Sequence, residues 1–218
     1  SSNVIVGPSE SMSKSKKNVI DPESIINNFG ADSVRLFILS DSPPAKDVQW
    51  SEQGMISSYK FIQKLWTLHV NIKEKLSKKA DSKEKNDDLN IFTNQLINKV
   101  NNNLENFNYN VIVANIYETY NFLIKYVEKE INKKNLLENY IKILTIFSPV
   151  IPHFTSETLE DINVNKDYIW PKIDNKYLES DNVDYIIQIN GKKRGLIKEK
   201  KDISQQNLLD SIKSNKIM

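Results

Sequence analysis

Residues 51–160 repeat one pattern, apolar side chains three and four positions apart, and that pattern dictates a helical architecture. Tyr59, Ile62, Trp66 and His69 fall along one side of a first stretch, which Ser51 can cap. Leu89, Phe92, Leu96, Val100 and Leu104 mark a second stretch. Ile112, Ile116, Tyr120, Leu123 and Val127 mark a third. Leu137, Ile141, Leu144 and Phe147 mark a fourth, which Pro149 and Pro152 interrupt. A stripe of this width must be buried against a neighbour. Short connections between such stretches favour an antiparallel bundle. Between the first two, residues 73–88 mix six basic with five acidic groups, the pattern of a solvated helix end and loop.

The flanks obey other rules. Val4-Ile5-Val6 reads as a short strand. Asp21 is a good N-cap, Pro22 suits the first helical position and Gly30 closes that helix. A second helix is expected from Asp32 to about Ser40, with Pro43-Pro44 breaking the chain. Beyond a polar linker at 161–182, Tyr185 to Ile189 alternates with β-branched residues, and Asn190-Gly191 is a strong hairpin signal. Lys192 to Lys198 supplies the return strand, and Ser204 can cap a last helix holding Leu208, Leu209 and Ile212. The expected fold class is mainly α: an antiparallel helical bundle, preceded by a loop-and-helix segment and followed by a small α+β module. The expected boundaries are 1–50, 51–165, a linker at 166–182, and 183–218.

A chain of 218 residues buries roughly 70% of its unfolded surface and has room for one or two domains. It holds no apolar run of about 18 residues, so no membrane span is expected. With no cysteine, disulfides, thiolate chemistry and cysteine zinc sites are excluded. Two histidines, His69 and His153, are too few and too far apart to suggest a metal centre. The net charge of +2 conceals an uneven distribution. Residues 192–201 carry six cations and one acid, and residues 11–17 carry three lysines and no acid. The rest of the chain is net negative at −6. Positive charge gathered in two short segments is the footprint of phosphate binding. The basic residues are 28 lysines and only two arginines, Arg35 and Arg194. Arginine offers a bidentate fork that lysine cannot imitate, which makes both positions candidates for specific contacts.

The first cluster, Ser11-Met12-Ser13-Lys14-Ser15-Lys16-Lys17-Asn18, supplies mobile positive charge and hydroxyl donors just ahead of a helix start. It closely resembles the lysine-serine signature loop of class I aminoacyl-tRNA synthetases. Gly30-Ala31-Asp32 with Arg35 downstream occurs across the leucine, isoleucine, valine and methionine enzymes. Three further stretches look most like the leucine enzymes: Ser42-Pro43-Pro44 with Asp47 and Trp50, Ser148-Pro149 through Pro152-His153, and Gln188-Ile189-Asn190-Gly191-Lys192-Lys193-Arg194-Gly195. The chain therefore resembles a carboxyl-terminal piece of the leucyl-tRNA synthetases. The nucleotide-binding half, the leucine pocket and the editing domain would precede it, and further sequence would follow Met218. Such a fragment is expected to be inactive by itself.

The resemblance implies activation of leucine by ATP with Mg2+ and its transfer to tRNA(Leu) in cytoplasmic protein synthesis. It implies that Lys14 stabilises the departing phosphates, and that Ser13, Lys14 and Ser15 bind ATP. The bundle would be of the anticodon-binding-domain type, its apolar stripes mostly core. The expected tRNA contacts are Arg35, Lys192, Lys193 and Arg194. No metal ligand is expected, and nothing is expected bound to the fragment alone. His153 is expected to be a hydrogen-bonded structural residue. One departure stands out: Ser11 occupies the place of the first signature lysine, which removes a phosphate-facing charge. The alternatives are the same region of an isoleucyl- or valyl-tRNA synthetase, a non-catalytic RNA-binding module, and a purely structural helical scaffold.

Overall fold

The computed structural model describes residues 10–41, 46–78, 87–164, 169–178, 182–200 and 203–214. The expected strand at Val4–Val6, the Pro43-Pro44 break and positions 79–86 of the charged segment lie outside them. Local chemistry sets the first elements. The Asp21 carboxylate accepts from the Ser24 N–H, Pro22 opens α1 (Pro22–Phe29), and Gly30 closes it at φ 79°, a conformation natural to glycine. Helix α2 (Ala31–Asp41) follows directly. Ser51 then caps α3 (Glu52–Ser77) by accepting from the Gly54 N–H.

Helices α4 (Asp88–Glu105), α5 (Tyr109–Tyr126) and α6 (Lys133–Phe147) coincide with the other three stripes. The core runs through all of them, with Ile72, Leu89, Ile97, Ile112, Ile116, Leu136, Ile143 and Ile146 among its least exposed members. Two stripes are rotated from their sequence positions. In α3 the buried residues are Met55, Ser58, Phe61, Leu65, Leu68, His69 and Ile72, whereas Trp66 is 39% exposed. The cause is a second neighbour: α3 packs on α1, α2 and α7 as well as on α5 and α6, so apolar residues cover more than one face. In α6 the buried line runs through Leu136, Tyr140 and Ile143 rather than Leu137 and Ile141. The prolines after α6 do not end the helical region. Pro152 opens α7 (Pro152–Asp161), at the helical position where a missing N–H costs nothing.

The chain divides into two compact units, 1–173 and 174–218. The bundle makes up the first, to which Trp170 belongs through an Nε1–H donated to Asn101 in α4. The second holds a 3-10 turn (Asn175–Tyr177), strands β1 (Asn182–Ile189) and β2 (Lys192–Lys200), and α8 (Gln205–Ser214). The strands pair antiparallel across Asn190-Gly191, which both adopt positive φ (51° and 74°), as a two-residue hairpin turn requires. Ile197 of β2 and Ile212 of α8 are the buried apolar residues described in this unit. Ser211 also donates its hydroxyl hydrogen to the Glu199 carboxylate. The architecture is the mainly helical one expected, with a small two-stranded sheet. No helix among the described residues is long and apolar enough to cross a membrane.

Candidate signature loop and nucleic-acid interface

The Ser/Lys loop is a closed turn. The N–H groups of Lys16 and Lys17 donate to the carbonyls of Ser13 and Lys14, each at 3.2 Å. The two hydroxyls of Ser13 and Ser15 lie 3.1 Å apart, and the Lys16 N–H also reaches Ser13 Oγ at 3.3 Å. Asn18 fastens the base. Its Oδ1 accepts from the Ser13 N–H at 2.8 Å, and its Nδ2–H donates to the Ser11 carbonyl at 3.3 Å. Lys17 sits at φ 54°, in the left-handed region.

The cations of this turn differ. Lys16 pairs with Glu10 at 3.1 Å, both side chains about half exposed. Lys14 and Lys17 are exposed and make no ion pair among the described residues. The expected ATP ligands Ser13, Lys14 and Ser15 are thus brought together within one turn. Cations and hydroxyls suit phosphate oxygens. Glu10, the carboxylate beside the turn, pairs with Lys16 and leaves no unpaired loop carboxylate among the described residues for the Mg2+ that ATP carries. Among the described residues no group of three or more metal-ligating side chains forms.

Arg35 has a different setting. It projects from α2 to the turn between α6 and α7, where Nε–H donates to the Val150 carbonyl at 3.0 Å and Nη2–H to the Pro149 carbonyl at 2.6 Å. Asp32, one turn earlier, braces the same segment. Its Oδ2 accepts from the Phe154 N–H at 2.6 Å, and its Oδ1 faces the His153 N–H at 3.3 Å and Nδ1 at 3.0 Å. His153 is hydrogen-bonded, as expected, with its imidazole largely exposed. Residue type alone did not disclose the clamp formed by Asp32 and Arg35, although the two are spaced to share one face of a helix. An open groove of about 600 Å³ lies beside the clamp, lined by Phe29, Asp32, Trp66, His153, Phe154 and Glu157 among others. None of the expected site residues lines it.

In the second unit Lys192, Lys193 and Arg194 are all exposed. The strand pairing is irregular at these three consecutive cations. Gln188 opposes Lys193 and Ile187 opposes Gly195, which leaves Arg194 as the extra residue of a β-bulge. A strand normally alternates its side chains between faces, and a bulge breaks that alternation and re-aims the bulged residue. Lys198, Lys200 and Lys201, the other cations of the cluster, lie outside the residues whose side chains are described.

Two family models match the helical bundle and the loop segment ahead of it. The family model described as anticodon-binding domain of tRNA ligase matches residues 88–212, and that of tRNA synthetases class I (I, L, M and V) matches residues 4–51. The chain belongs to the anticodon-binding-domain family of the tRNA ligases. Curated relatives include leucine–tRNA ligases. That of Orientia tsutsugamushi (strain Boryong) is 36% identical over 204 residues, covering 88% of this chain and 23% of the relative. That of Fusobacterium nucleatum is 35% identical over 211 residues, covering 90% of this chain and 24% of the relative. That of Thermosipho melanesiensis is 37% identical over 207 residues, covering 89% and 25%. The chain therefore spans about a quarter of the length of the curated relatives it matches. Among solved structures, the LeuRS in a LeuRS-tRNA-LeuAMS ternary complex from Agrobacterium radiobacter K84 superposes with a TM-score of 0.74 at 24% identity, over 92% of this chain and 27% of that one. That likeness establishes the fold.

Proposed function

We propose that the chain is the signature-loop and tRNA-binding region of a leucine–tRNA ligase. The whole protein would join leucine to ATP and then to tRNA(Leu). The leucine carboxylate attacks the α-phosphorus, the new bond being carboxyl oxygen to phosphorus. The bond from that phosphorus to the bridging oxygen breaks, and pyrophosphate leaves with the electron pair. A terminal ribose hydroxyl of the tRNA next attacks the leucyl carbonyl and releases AMP. Negative charge grows on the leaving phosphates, so a fixed cation there lowers the barrier. Lys14 supplies it, with Ser13 and Ser15 donating hydrogen bonds and Asn18 holding the turn closed. Such a protein works where cytoplasmic translation does.

The hairpin cations Lys192, Lys193 and Arg194 serve a second purpose, holding tRNA phosphates on a folded RNA surface. Arg35 is committed to two backbone carbonyls, and a contact from it to tRNA would use the remainder of its guanidinium.

One observation carries this reading: similarity to leucine–tRNA ligases runs through about nine-tenths of the chain. The class I model over 4–51 spans the isoleucine, leucine, methionine and valine enzymes alike, so the choice of leucine rests on the relatives. The test is binding of this chain to leucine tRNA and to an unrelated tRNA at low and high salt. Affinity should fall steeply with salt. Replacing Lys192, Lys193 and Arg194 by alanine should weaken binding and flatten the log–log salt slope by about 2–3. A folded chain that binds neither tRNA at low salt would overturn the tRNA-binding part of the reading.

A further inference from the structure

The groove beside the clamp has a lining unlike the rest of the chain. Its volume of about 600 Å³ falls within the range of about 300–1,000 Å³ common for small-molecule sites. The walls are apolar and aromatic: Phe29 at the end of α1, Ile62 and Trp66 of α3, and Phe154 of α7. Trp66 and Phe154 meet edge to face, their ring centroids 6.3 Å apart and their planes at 78°. Phe154 is buried, whereas Trp66 stays exposed. The polar lining sets the sign of charge an occupant can carry. The chain holds 30 lysines and arginines against 28 acids, yet no lysine or arginine lines the groove, whereas Asp32 and Glu157 do. Asp32 is already occupied by the amino end of α7 and by the His153 imidazole. It also stands in the first turn of α2, so both helix amino ends at the groove have a negative charge beside them. Glu157, one turn beyond His153, is exposed and makes no ion pair among the described residues. Ser33 is 1% exposed and lines the groove, and its hydroxyl has no hydrogen-bond partner among the described residues. A carboxylate without a counter-ion, a hydroxyl without a partner and an exposed indole are all suited to one kind of group, an ammonium. Phosphates are disfavoured by the two carboxylates.

We propose that this groove is a binding site for a small organic cation, an ammonium head on an apolar or aromatic body. The body is taken up by the apolar walls, and the head is met by the Glu157 carboxylate and the Trp66 ring, with Ser33 supplying an acceptor from the α2 side. The site uses neither the signature loop nor the hairpin cations, so it stands apart from the leucine-activation and tRNA-binding readings above. Burial of the body supplies most of the affinity. The carboxylate and the indole supply the preference for positive charge.

The test is an NMR titration of this chain at neutral pH with three probes of one shape: phenethylamine, which is protonated there, neutral phenethyl alcohol, and anionic hydrocinnamate. The melting temperature of every variant is measured alongside. The amine should bind with a Kd of about 1 mM or below, the alcohol more weakly and the carboxylate most weakly. Glu157→Gln should weaken the amine about two- to fivefold and leave the alcohol unchanged. Trp66→Leu, which keeps an apolar wall but removes the ring, should weaken the amine about threefold or more. Glu160→Gln, an exposed acid of α7 outside the lining, should change nothing. A folded wild-type chain that does not bind the amine overturns the proposal. So does an alcohol or a carboxylate that binds as tightly as the amine, or an amine affinity that a folded Glu157→Gln variant leaves unchanged.

Discussion

Replacing Asp32 should destabilise the bundle more than any other single change at an acidic residue of α2 or α7. The reason lies in the first turn of α7. Pro152 has no N–H, Thr155 N–H already reaches the Ile151 carbonyl, and Ile151 has no side chain able to cap. The open donors are the N–H groups of His153 and Phe154, and the Asp32 carboxylate takes both from another helix. Asp32→Ala removes an N-cap, at about 1–2 kcal/mol. It also removes a negative charge from a helix amino end, at about 0.3–1 kcal/mol. A donor left without a partner at Phe154, only 9% exposed, adds about 1–3 kcal/mol. These terms overlap, and a total of about 2–4 kcal/mol follows. For a unit of this size each kcal/mol moves the melting temperature by about 2–4 °C, so a drop of about 5–15 °C is expected. All three tryptophans, Trp50, Trp66 and Trp170, lie in the first unit, so their fluorescence follows this unit alone. Asp32→Asn should lose about 1 kcal/mol, because one acceptor oxygen survives. His153→Ala should cost less than about 1 kcal/mol, its imidazole being 74% exposed. Hydrogen exchange at the Phe154 amide should accelerate in Asp32→Ala. A melting temperature within a degree of wild type for Asp32→Ala, or a His153→Ala loss of equal size, would refute the capping argument.

Arg35→Lys should lower the urea midpoint by the equivalent of about 1–2 kcal/mol, because a single ammonium cannot serve the Pro149 and Val150 carbonyls as the fork does. Gly54→Ala should destabilise the bundle by about 1–3 kcal/mol in thermal unfolding, against the usual helical preference for alanine: a Cβ there would lie 2.7 Å from the buried Phe37 ring, which is edge-on to Trp50. Asp161 is held below its ordinary value of 3.8 by hydrogen bonds from Lys73 and then from His69. The stability it contributes is complete above that value and is lost as pH falls through the lowered folded value. Acid titrations followed by circular dichroism should therefore show a destabilising slope below about pH 4 that Asp161→Asn reduces.

What could be read from residue order was whatever a helix or hairpin settles locally. Asp21-Pro22, Ser51 and Gly30 act through neighbours within four positions, and they start and stop α1 and α3 where expected. Asn190-Gly191 turns the hairpin for the same reason. Which face of α3 is buried was not legible, because it depends on α1, α2 and α7 arriving from distant sequence. His69 shows the same limit. It lies in the apolar stripe, yet it is fully buried between the Tyr140 hydroxyl at 3.0 Å and the Asp161 carboxylate at 2.9 Å, partners 71 and 92 residues away. At that site burial raises the Tyr140 hydroxyl well above its ordinary pKa, so the tyrosine stays a neutral hydrogen-bonding partner.

The clamp is the more instructive case. Gly30-Ala31-Asp32 with Arg35, and Ser148-Pro149 through His153, look in sequence like two independent likenesses more than a hundred residues apart. In space they are the two sides of one joint, with Asp32 and Arg35 on one side and the backbone of 149–154 on the other. Neither side is satisfied alone: the prolines leave carbonyls and amide hydrogens that no helix takes up, and a buried carboxylate needs donors. The signature loop adjoins this joint through α1, which has no buried residue of its own and packs on α2 and α3. The joint therefore fixes α2 against the bundle, and α2 carries the helix on which the loop is mounted. On this argument and the leucine-activation reading proposed above, Asp32→Ala in the full-length protein should raise the KM for tRNA and lower kcat for ATP–pyrophosphate exchange together, although Asp32 itself lies one helix away from the loop. A variant that melts early but keeps both parameters would confine the joint to stability.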